Sequence, residues 1–338
     1  MKRQFIILAA FVSIVLVGCQ ESEGELEVKE EYPVSIEASI SEAGDSRYAG
    51  STPNAASFAN GDNIGLAYKV GNDAVNGFVK WNFNGNNWTS SNTMSWKNLG
   101  ENHTFYAFYP YGDDGGDATL GQVKMPVLTG QDGTMASVAA RDFLVATKTM
   151  KYSNGGVVSF TGDDAFGHVS SLVVLTLKNK ANLASATISR ISLIGTDLVA
   201  STTYSFIDNK ATNENEAEKV SLAGIAADAM TVDFTNMVMN GDKTFYFVVN
   251  SGTIARRGVT LSITYRLANG EIYTATKEGL HKNDADNGFF ERGYFYNYGI
   301  TVSSGNDLSI TGHTINTWKN GDSFDITIDN SQKQEGNS

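Results

Sequence analysis

The chain has 338 residues, a formal net charge of −12 and a single cysteine. Because an acidic protein repels polyanions, this charge argues against nucleic acid as a partner. One thiol cannot form a disulfide within the chain or, by itself, a thiolate metal centre. The composition combines 34 glycines and only 4 prolines with 18 phenylalanines and 14 tyrosines. Such a composition is typical of many short strands joined by glycine turns, and the length suffices for two domains.

The N-terminal segment has the layout of a secretory signal, with a basic start and an apolar run over residues 5–17. This run is shorter than the ~20 residues that a membrane-spanning helix needs. Residues 16–19, Leu-Val-Gly-Cys, resemble the lipobox of bacterial lipoproteins, in which the cysteine is lipidated. Attachment of two or more acyl chains to Cys19 would anchor the protein stably. Gln20 replaces the aspartate of many inner-membrane lipoproteins, which favours the outer membrane; the alternative is an ordinary signal peptide with an incidental cysteine.

The next segments predict a tether and a first strand. Residues 20–31 are rich in glutamate and poor in apolar residues, which is typical of a flexible tether. Residues 32–41 alternate apolar and polar positions, which predicts a half-buried strand. The apolar positions are Val34, Ile36, Ala38 and Ile40. A loop without apolar character follows and contains Arg47.

Beyond this loop, strand signals recur at intervals of about 8–12 residues, the spacing of β-sandwiches. The stretch SITYRLANGEIYTAT predicts a hairpin in which Asn269 and Gly270 supply the positive φ values of a tight turn. A polar, glycine-punctuated stretch at 161–168 divides the strand pattern, so we predict an all-β chain with two tandem β-sandwich domains. The predicted segments are a lipoprotein signal peptide over 1–18, a lipidated propeptide over 19–47, an N-terminal domain over 48–165, a C-terminal domain over 166–329 and a flexible tail over 330–338.

The sequence predicts no catalytic residues, no metal and no cofactor. The four histidines are scattered without the spacing of a metal site. They are His103, His168, His281 and His313. Acidic clusters at 113–117 and 284–291 lack the spacing of a calcium loop. Two carboxylates of a glycosidase would meet only in space, so the sequence alone leaves that possibility open.

Taken in order, these features resemble the fimbrillins of Bacteroidales, the lipoprotein precursors of type V pili. The resemblance begins with the lipobox at Cys19, the first strand and the arginine that follows it. It continues through the stretches FANGDNIGLAYK, HTFYAFYPY, HVSSLVVLTLKN, FERGYFYNYGITV and TINTWKNGDSF. Each stretch is weak alone, and their order over nearly the whole chain carries the resemblance.

The resemblance implies sandwiches of transthyretin-like topology and release of the first strand by an arginine-specific protease. A strand donated by a neighbouring subunit would then fill the vacated groove. The processing residue would be Arg47, with Arg141 as the competing candidate, although Arg141 borders an apolar strand. The donor strand would be C-terminal, within 308–316 or 323–329.

The predicted function is a structural and adhesive subunit of a cell-surface fimbria, without catalysis. The implied partners are other fimbrial subunits, the outer-membrane lipid, the protease, and host or bacterial surface ligands. The alternative is a monomeric outer-membrane lipoprotein that binds glycans through exposed aromatic residues such as Trp88 and Trp96. The sequence does not distinguish a stalk, an anchor or a tip subunit.

Overall fold

A computed structural model of the chain describes residues 32–40, 57–112, 121–180, 183–195, 198–201, 203–207, 225–226, 229–250, 252–253, 259–280, 289–290, 292–302 and 308–317. Regular structure in these residues is almost entirely strand, with one five-residue α-helix and two short 3-10 helices. The predicted all-β class is therefore confirmed. None of the helices in these ranges is long and apolar enough to cross a membrane.

The N-terminal half contributes nine strands and the helix. They are β1 (Ser35–Ala38), β2 (Asn63–Val70), β3 (Val79–Phe83), β4 (Trp88–Thr89), β5 (His103–Tyr109), β6 (Gln122–Lys124), α1 (Met135–Ala139), β7 (Leu144–Met150), β8 (Val157–Phe160) and β9 (Gly167–His168).

The C-terminal half contributes the remaining described strands. They are β10 (Ser171–Leu177), β11 (Thr187–Ile194), β12 (Val199–Ser201), β13 (Thr203–Ser205), β14 (Ile225–Ala226), β15 (Ala229–Val238), β16 (Lys243–Val249), β17 (Gly252–Thr253), β18 (Thr260–Arg266), β19 (Ile272–Lys277), β20 (Phe289–Phe290), β21 (Tyr294–Val302) and β22 (Leu308–Thr317).

The N-terminal half is organised around a six-stranded antiparallel sheet in the order β4-β3-β2-β5-β7-β9. Its central strands β2 and β5 are buried almost throughout, as expected for a sheet that is covered on both faces. Side chains alternate between the two faces of a strand. Leu66 therefore lies in the core that includes β1 and β8, whereas Ala67 lies in the core that includes β6 and β13.

The C-terminal half forms two four-stranded sheets, β16-β10-β21-β22 and β15-β11-β18-β19. Apolar side chains from both sheets share one core, to which Leu175 and Tyr298 come from the first sheet and Ile191 and Ile263 from the second. Two sheets that bury a common core constitute a β-sandwich.

The predicted hairpin is confirmed as β18 and β19, which pair antiparallel. Gly270 has a φ of +91°, whereas Asn269 is absent from the positive-φ residues, so the prediction for Asn269 is wrong. The Gly270 amide donates to the Leu267 carbonyl, and the Leu267 amide donates to the Glu271 carbonyl. One positive-φ residue is sufficient because the loop is longer than a two-residue turn.

The two halves are connected by strand pairing as well as by sequence. Strand β9, at residues 167–168, pairs with β7, and β13 pairs with β6. Both pairings cross the predicted boundary between residues 165 and 166. The described residues all belong to one compact unit that begins at Tyr32. The position of the domain boundary stays a prediction.

Candidate functional site

Strand β1 lies where residues 32–41 were predicted to form a strand, and it packs into the core of the N-terminal half. Val34, Ile36 and Ile40 are only 5%, 8% and 3% exposed, and Ala38 is half-buried. The intervening Ser35 and Glu37 are exposed. The alternation of apolar and polar residues thus places one face of this segment in the core. Its displacement from that core stays a prediction.

The backbone of this segment is paired along its length. Ser35–Ala38 pair parallel with Val157–Phe160 of β8. Before β1, the Val34 amide donates to the Met94 carbonyl at 2.8 Å, and the Trp96 amide donates to the Tyr32 carbonyl at 2.9 Å. After β1, the Ser39 amide donates to the Phe160 carbonyl at 2.9 Å, and the Phe166 amide donates to the Ser39 carbonyl at 3.0 Å. Loss of β1 would leave these partner groups without their present hydrogen bonds.

Aromatic rings form much of the apolar surface against which β1 packs. We call this surface, which includes Trp96, Tyr152, Phe160 and Phe166, the seat. The rings of Tyr32 and Tyr152 meet edge to face with centroids 5.3 Å apart, and Tyr152 in turn contacts Trp96. Towards the other end of the segment, Phe160 and Phe166 lie 5.7 Å apart. Trp96, Phe160 and Phe166 are buried in the same apolar cluster as Val34, Ile36 and Ile40, so removing the β1 segment would reduce their burial.

A glycine sets how closely the seat approaches β1. Gly156 has a φ of +86°, a backbone conformation that favours glycine. A Cβ atom at this position would lie 2.6 Å from the Pro33 carbonyl oxygen and 3.0 Å from Trp96 Nε1. The Trp96 indole N–H donates to the Gly156 carbonyl at 3.2 Å. Gly156 was not a predicted site residue, because its contact with Pro33 arises only in the folded chain.

His103 lies beside this seat and is buried. Its ring centroid is 4.7 Å from that of Trp96. Burial lowers the pKa of His103 and outweighs the opposing effect of the Glu101 carbonyl. The neutral ring can donate from Nδ1 to the Glu101 carbonyl at 3.2 Å while Nε2 accepts the Lys97 amide at 3.3 Å. The imidazole thus holds the segment that pairs with Tyr32.

The other predicted site residues are differently placed. Cys19 and Arg47 lie outside the described residues. Arg141 is half-buried, and its guanidinium donates four hydrogen bonds, to the carbonyls of Thr129 and Gly130 and to both oxygens of Ser137. These hydrogen bonds hold Arg141 against the fold. They argue against cleavage after Arg141, because a protease requires a backbone that can extend away from the fold.

Trp88 and Trp96, which the alternative function requires to be exposed for glycan binding, are buried in the N-terminal core. Trp88 packs edge to face on Phe58 at 4.9 Å, and Trp96 packs on Phe105 at 5.0 Å. The expectation that Trp88 and Trp96 are exposed is therefore wrong. Their apolar rings are better satisfied by core packing than by water.

One buried pair of titratable groups has the composition of part of a hydrolase site. Asp142 Oδ1 lies 2.8 Å from His168 Nδ1, and both side chains are buried. The hydroxyl of Ser170 is also buried, but it has no hydrogen-bond partner among the described residues. A nucleophile must contact its base and reach a substrate. The pair instead joins Asp142, just before β7, to His168 of β9, and the Arg292 side chain donates to the His168 carbonyl.

A cavity of about 310 Å³ beside His168 holds two carboxylates, Asp163 and Asp164. Asp164 forms an ion pair with Lys148 at 2.6 Å. The two aspartates are consecutive on a single 3-10 turn, unlike a glycosidase pair that faces a sugar from two sides. Within the described ranges, no group of three or more histidine, cysteine or carboxylate side chains could hold a metal ion.

Comparison with known proteins agrees with the fold. A family model described as fimbrillin-like matches residues 48–318. A candidate cell adhesion protein from Bacteroides ovatus is 19% identical with a TM-score of 0.56, and the match covers 87% of this chain and 100% of the other. A fimbrial protein from Bacteroides vulgatus is 14% identical with a TM-score of 0.52, covering 85% and 99%. No curated protein sequence matches significantly.

At these identities the solved structures are similar in fold alone, whereas the family model spans most of the sequence. Its match begins at residue 48 and so includes the six-stranded sheet but not β1. The chain belongs to the fimbrillin-like family, and this membership supports a fimbrial or adhesion subunit at the cell surface.

Proposed function

We propose that this protein is exported as a lipoprotein through Cys19, is cleaved after Arg47, and polymerises when a strand of a neighbouring subunit replaces β1. The proposal takes it to be a structural and adhesive subunit without catalysis. The observation that carries it is the position of β1. This short N-terminal strand fills an apolar seat, and Arg47 follows nine residues after Ala38, the last residue of the strand.

The burial of β1 indicates that its seat must be occupied. Val34, Ile36 and Ile40 are almost fully buried. Full burial of one such side chain stabilises by roughly 1.5–3 kcal/mol, so three of them contribute several kcal/mol. An incoming strand with apolar residues at the same spacing would replace both the buried area and the hydrogen bonds to β8, which is β-augmentation.

Covalent linkage explains why the uncleaved chain would stay monomeric. While β1 is tethered, it competes for its seat at an effective concentration in the millimolar range or higher. A donor strand on a second subunit at micromolar concentration cannot match that. Cleavage after Arg47 removes the tether, and β1 can then leave and be replaced.

The C-terminal sheet favours one of the two donor candidates. Residues 308–316 belong to β22, which pairs with β21 from Leu308 to Thr317. A donor from β22 would have to leave its own sheet. Residues 323–329 lie outside the described residues, and their sequence alternates Phe324, Ile326 and Ile328 with polar residues. We therefore assign the donor to 323–329.

The test uses residues 20–338, with and without an arginine-specific protease, analysed by size-exclusion chromatography and electron microscopy. We expect polymers only after cleavage. Arg47→Ala should remain monomeric after protease treatment, whereas the control Arg266→Ala, at an exposed hairpin position, should polymerise like the wild type. Polymers from Arg47→Ala at the wild-type rate, or a cleaved wild type that stays monomeric, would refute the mechanism. The second result would favour the monomeric lipoprotein.

Lipid attachment has its own measurement. Cells producing the full chain and its Cys19→Ala variant are labelled with a fatty acid. We expect label on the wild type and none on the variant, because the thioether and amide of a lipoprotein form on that cysteine. Equal labelling of both chains would contradict the assignment of Cys19.

A further inference from the structure

The strand β16 lies at the edge of its sheet, and a segment of the N-terminal half covers it. We call residues 128–142 the clasp. Gln131 is its central contact and is only 4% exposed. Gln131 Nε2 donates to the Val248 carbonyl at 2.8 Å, and Gln131 Oε1 accepts the Val248 amide at 2.7 Å. The side-chain amide thus pairs with β16 as the backbone of a neighbouring strand would.

A second contact continues this pairing two residues away. The Tyr246 amide donates to the Gly133 carbonyl at 3.0 Å. Gly133 has a φ of +76°, and a Cβ atom there would lie 3.3 Å from the Phe245 ring. Alternate residues of an edge strand direct their backbone groups away from the sheet. Tyr246 and Val248 are two such residues, and the clasp satisfies the amides of both.

The clasp is held in shape by its own hydrogen bonds. Arg141 ties its two ends together through the four bonds described above. Thr134 caps α1 by accepting the Ser137 amide at 3.2 Å, and Asp132 accepts the Thr134 amide at 2.9 Å. Gln131 Nε2 also donates to the Leu128 carbonyl at 2.7 Å, which fixes the amide in the orientation that Val248 requires.

The sequence of β16 explains why its edge needs a cover. Residues 244–249 read TFYFVV, without a charge or a proline. Uncharged segments of about six residues that are rich in aromatic and β-branched side chains pair readily with copies of themselves. Most exposed edges carry charges, prolines or bulges that prevent such pairing. This edge carries none of these between 244 and 249, and the clasp takes their place.

We propose that the outer edge of β16 is a latent pairing surface for a second copy of this chain, and that the clasp keeps it closed. The partner strand is β16 of the second copy, antiparallel about a two-fold axis, because that arrangement matches the same edge to itself. The clasp thereby confines association to other surfaces of the subunit. This inference stands apart from strand replacement at β1, since neither Arg47 nor β1 takes part.

The test uses a protein of residues 20–338 that carries Arg47→Ala, so that cleavage after Arg47 cannot contribute to association. These residues include the whole compact unit that begins at Tyr32. A substitution then opens the clasp. Gln131→Met keeps the side-chain length and removes both hydrogen bonds to Val248. We expect hydrogen exchange at the Tyr246 and Val248 amides to rise on the order of tenfold, as for loss of about one hydrogen bond, while the Phe247 amide stays protected. We also expect a concentration-dependent dimer by light scattering.

Three further variants complete the test. Thr244 is exposed and shares the spacing of Tyr246 and Val248 along β16. Adding Thr244→Lys to Gln131→Met should restore the monomer, because a charged side chain on an edge strand opposes pairing of that edge with another strand. The matched control is Gln122→Met, a half-buried glutamine on β6, which should remain monomeric. Gln131→Glu is a second opening variant that keeps an acceptor for the Val248 amide and loses the donor to its carbonyl.

Each outcome decides the proposal. A dimer that Thr244→Lys abolishes supports it. Gln131→Met and Gln131→Glu proteins that both stay monomeric would overturn it, whether or not exchange at Tyr246 and Val248 rises. A dimer that persists with Thr244→Lys would overturn the assignment of the surface. Loss of the fold in both variants would also overturn the proposal, because a cover that only closes an edge is not required for folding.

Discussion

Two segments of the N-terminal half cover open strands, and they do so by different chemistry. Strand β1 pairs through its backbone with β8 and inserts apolar side chains into the core. The clasp pairs through the side chain of Gln131 and one carbonyl, and Arg141 ties it at both ends. One cut after β1 would free it, whereas the clasp lies within the chain and keeps both connections. On this comparison, β1 would be a removable cover and the clasp a permanent one.

The two covers also differ in what their loss exposes. Removing β1 uncovers buried aromatic rings such as Phe160 and Phe166 together with hydrogen-bonding groups, so a replacement must supply apolar area. Opening the clasp uncovers chiefly the edge of β16, which any extended strand can pair with. The first surface can therefore select its partner by side-chain spacing. The edge of β16 would discriminate poorly between partner strands, which is the physical reason for the clasp to cover it.

The largest effect should come from placing a charge in the seat of β1. Ile36→Asp buries a carboxylate where Ile36 is 8% exposed. We expect the free energy of unfolding of uncleaved residues 20–338 to fall by about 3–5 kcal/mol, or β1 to leave its seat. The measurement is urea unfolding followed by tryptophan fluorescence, since Trp96 lies in the seat. The exposed neighbour gives the control, because Glu37→Gln should change stability by less than ~0.5 kcal/mol. Equal effects of the two variants would show that the seat contributes little.

The next effect concerns the clasp. Arg141→Ala removes four hydrogen bonds from a half-buried guanidinium and leaves carbonyl acceptors without them. We expect a loss of about 2–3 kcal/mol in the free energy of unfolding. Arg190→Ala is the control, because its ion pair with Asp233 is exposed and such pairs contribute ~1 kcal/mol or less. A loss no larger than that of the control would mean that the clasp is not fixed by Arg141.

A third, smaller effect on the free energy of unfolding is expected at two neighbouring glycines. Gly155 and Gly156 both have positive φ values, +71° and +86°. A Cβ atom at Gly155 would meet nothing within 4 Å, whereas one at Gly156 would lie 2.6 Å from the Pro33 carbonyl oxygen. Backbone strain of roughly 1 kcal/mol or more is common to both alanine variants, so their difference reports the contact with the β1 segment.

We expect Gly156→Ala to lower the unfolding free energy by about 1–2 kcal/mol more than Gly155→Ala does. The difference should shrink once the β1 segment is absent, because its Pro33 carbonyl is then gone. Urea unfolding of both variants, before and after cleavage and removal of the N-terminal fragment, provides the measurement. A difference that is unchanged by removal would assign the cost to Trp96 rather than to Pro33.

The parts of the fold that follow from local periodicity were predictable. The alternation from Val34 to Ile40 identified β1 because a strand has a period of two residues. The clasp could not be found this way, since Gln131 and Val248 are 117 positions apart and glutamine is usually a surface residue. Trp88 was misplaced because β4 has only two residues, too few for a period to show which face is buried. Pairing across the predicted boundary, as of β6 with β13, also leaves no local pattern.

The smallest expected effect is a weakening of the seat in acid, through His103. Burial holds the pKa of His103 below its ordinary value, so the unfolded chain takes up a proton before the folded chain does. The stability that neutral His103 contributes is therefore complete above the unfolded pKa of about 6.5 and is lost as the pH falls through the folded pKa. A protonated ring could no longer accept the Lys97 amide at Nε2. Lys97 lowers the pKa of His103 as burial does, and together they outweigh Glu101, which raises it.

The measurement compares urea unfolding at pH 7.5 and at pH 5.5 for the wild type and for His103→Gln. Glutamine can accept the Lys97 amide and does not titrate, so the variant should lose less stability between the two pH values. The other ionisable groups are common to both proteins and cancel in the comparison. Protection of the Trp96 amide, which donates to the Tyr32 carbonyl, should fall in acid in the wild type but not in the variant, when exchange is compared with the intrinsic rate at each pH. An identical pH response in both proteins would remove His103 from the account of how β1 is held.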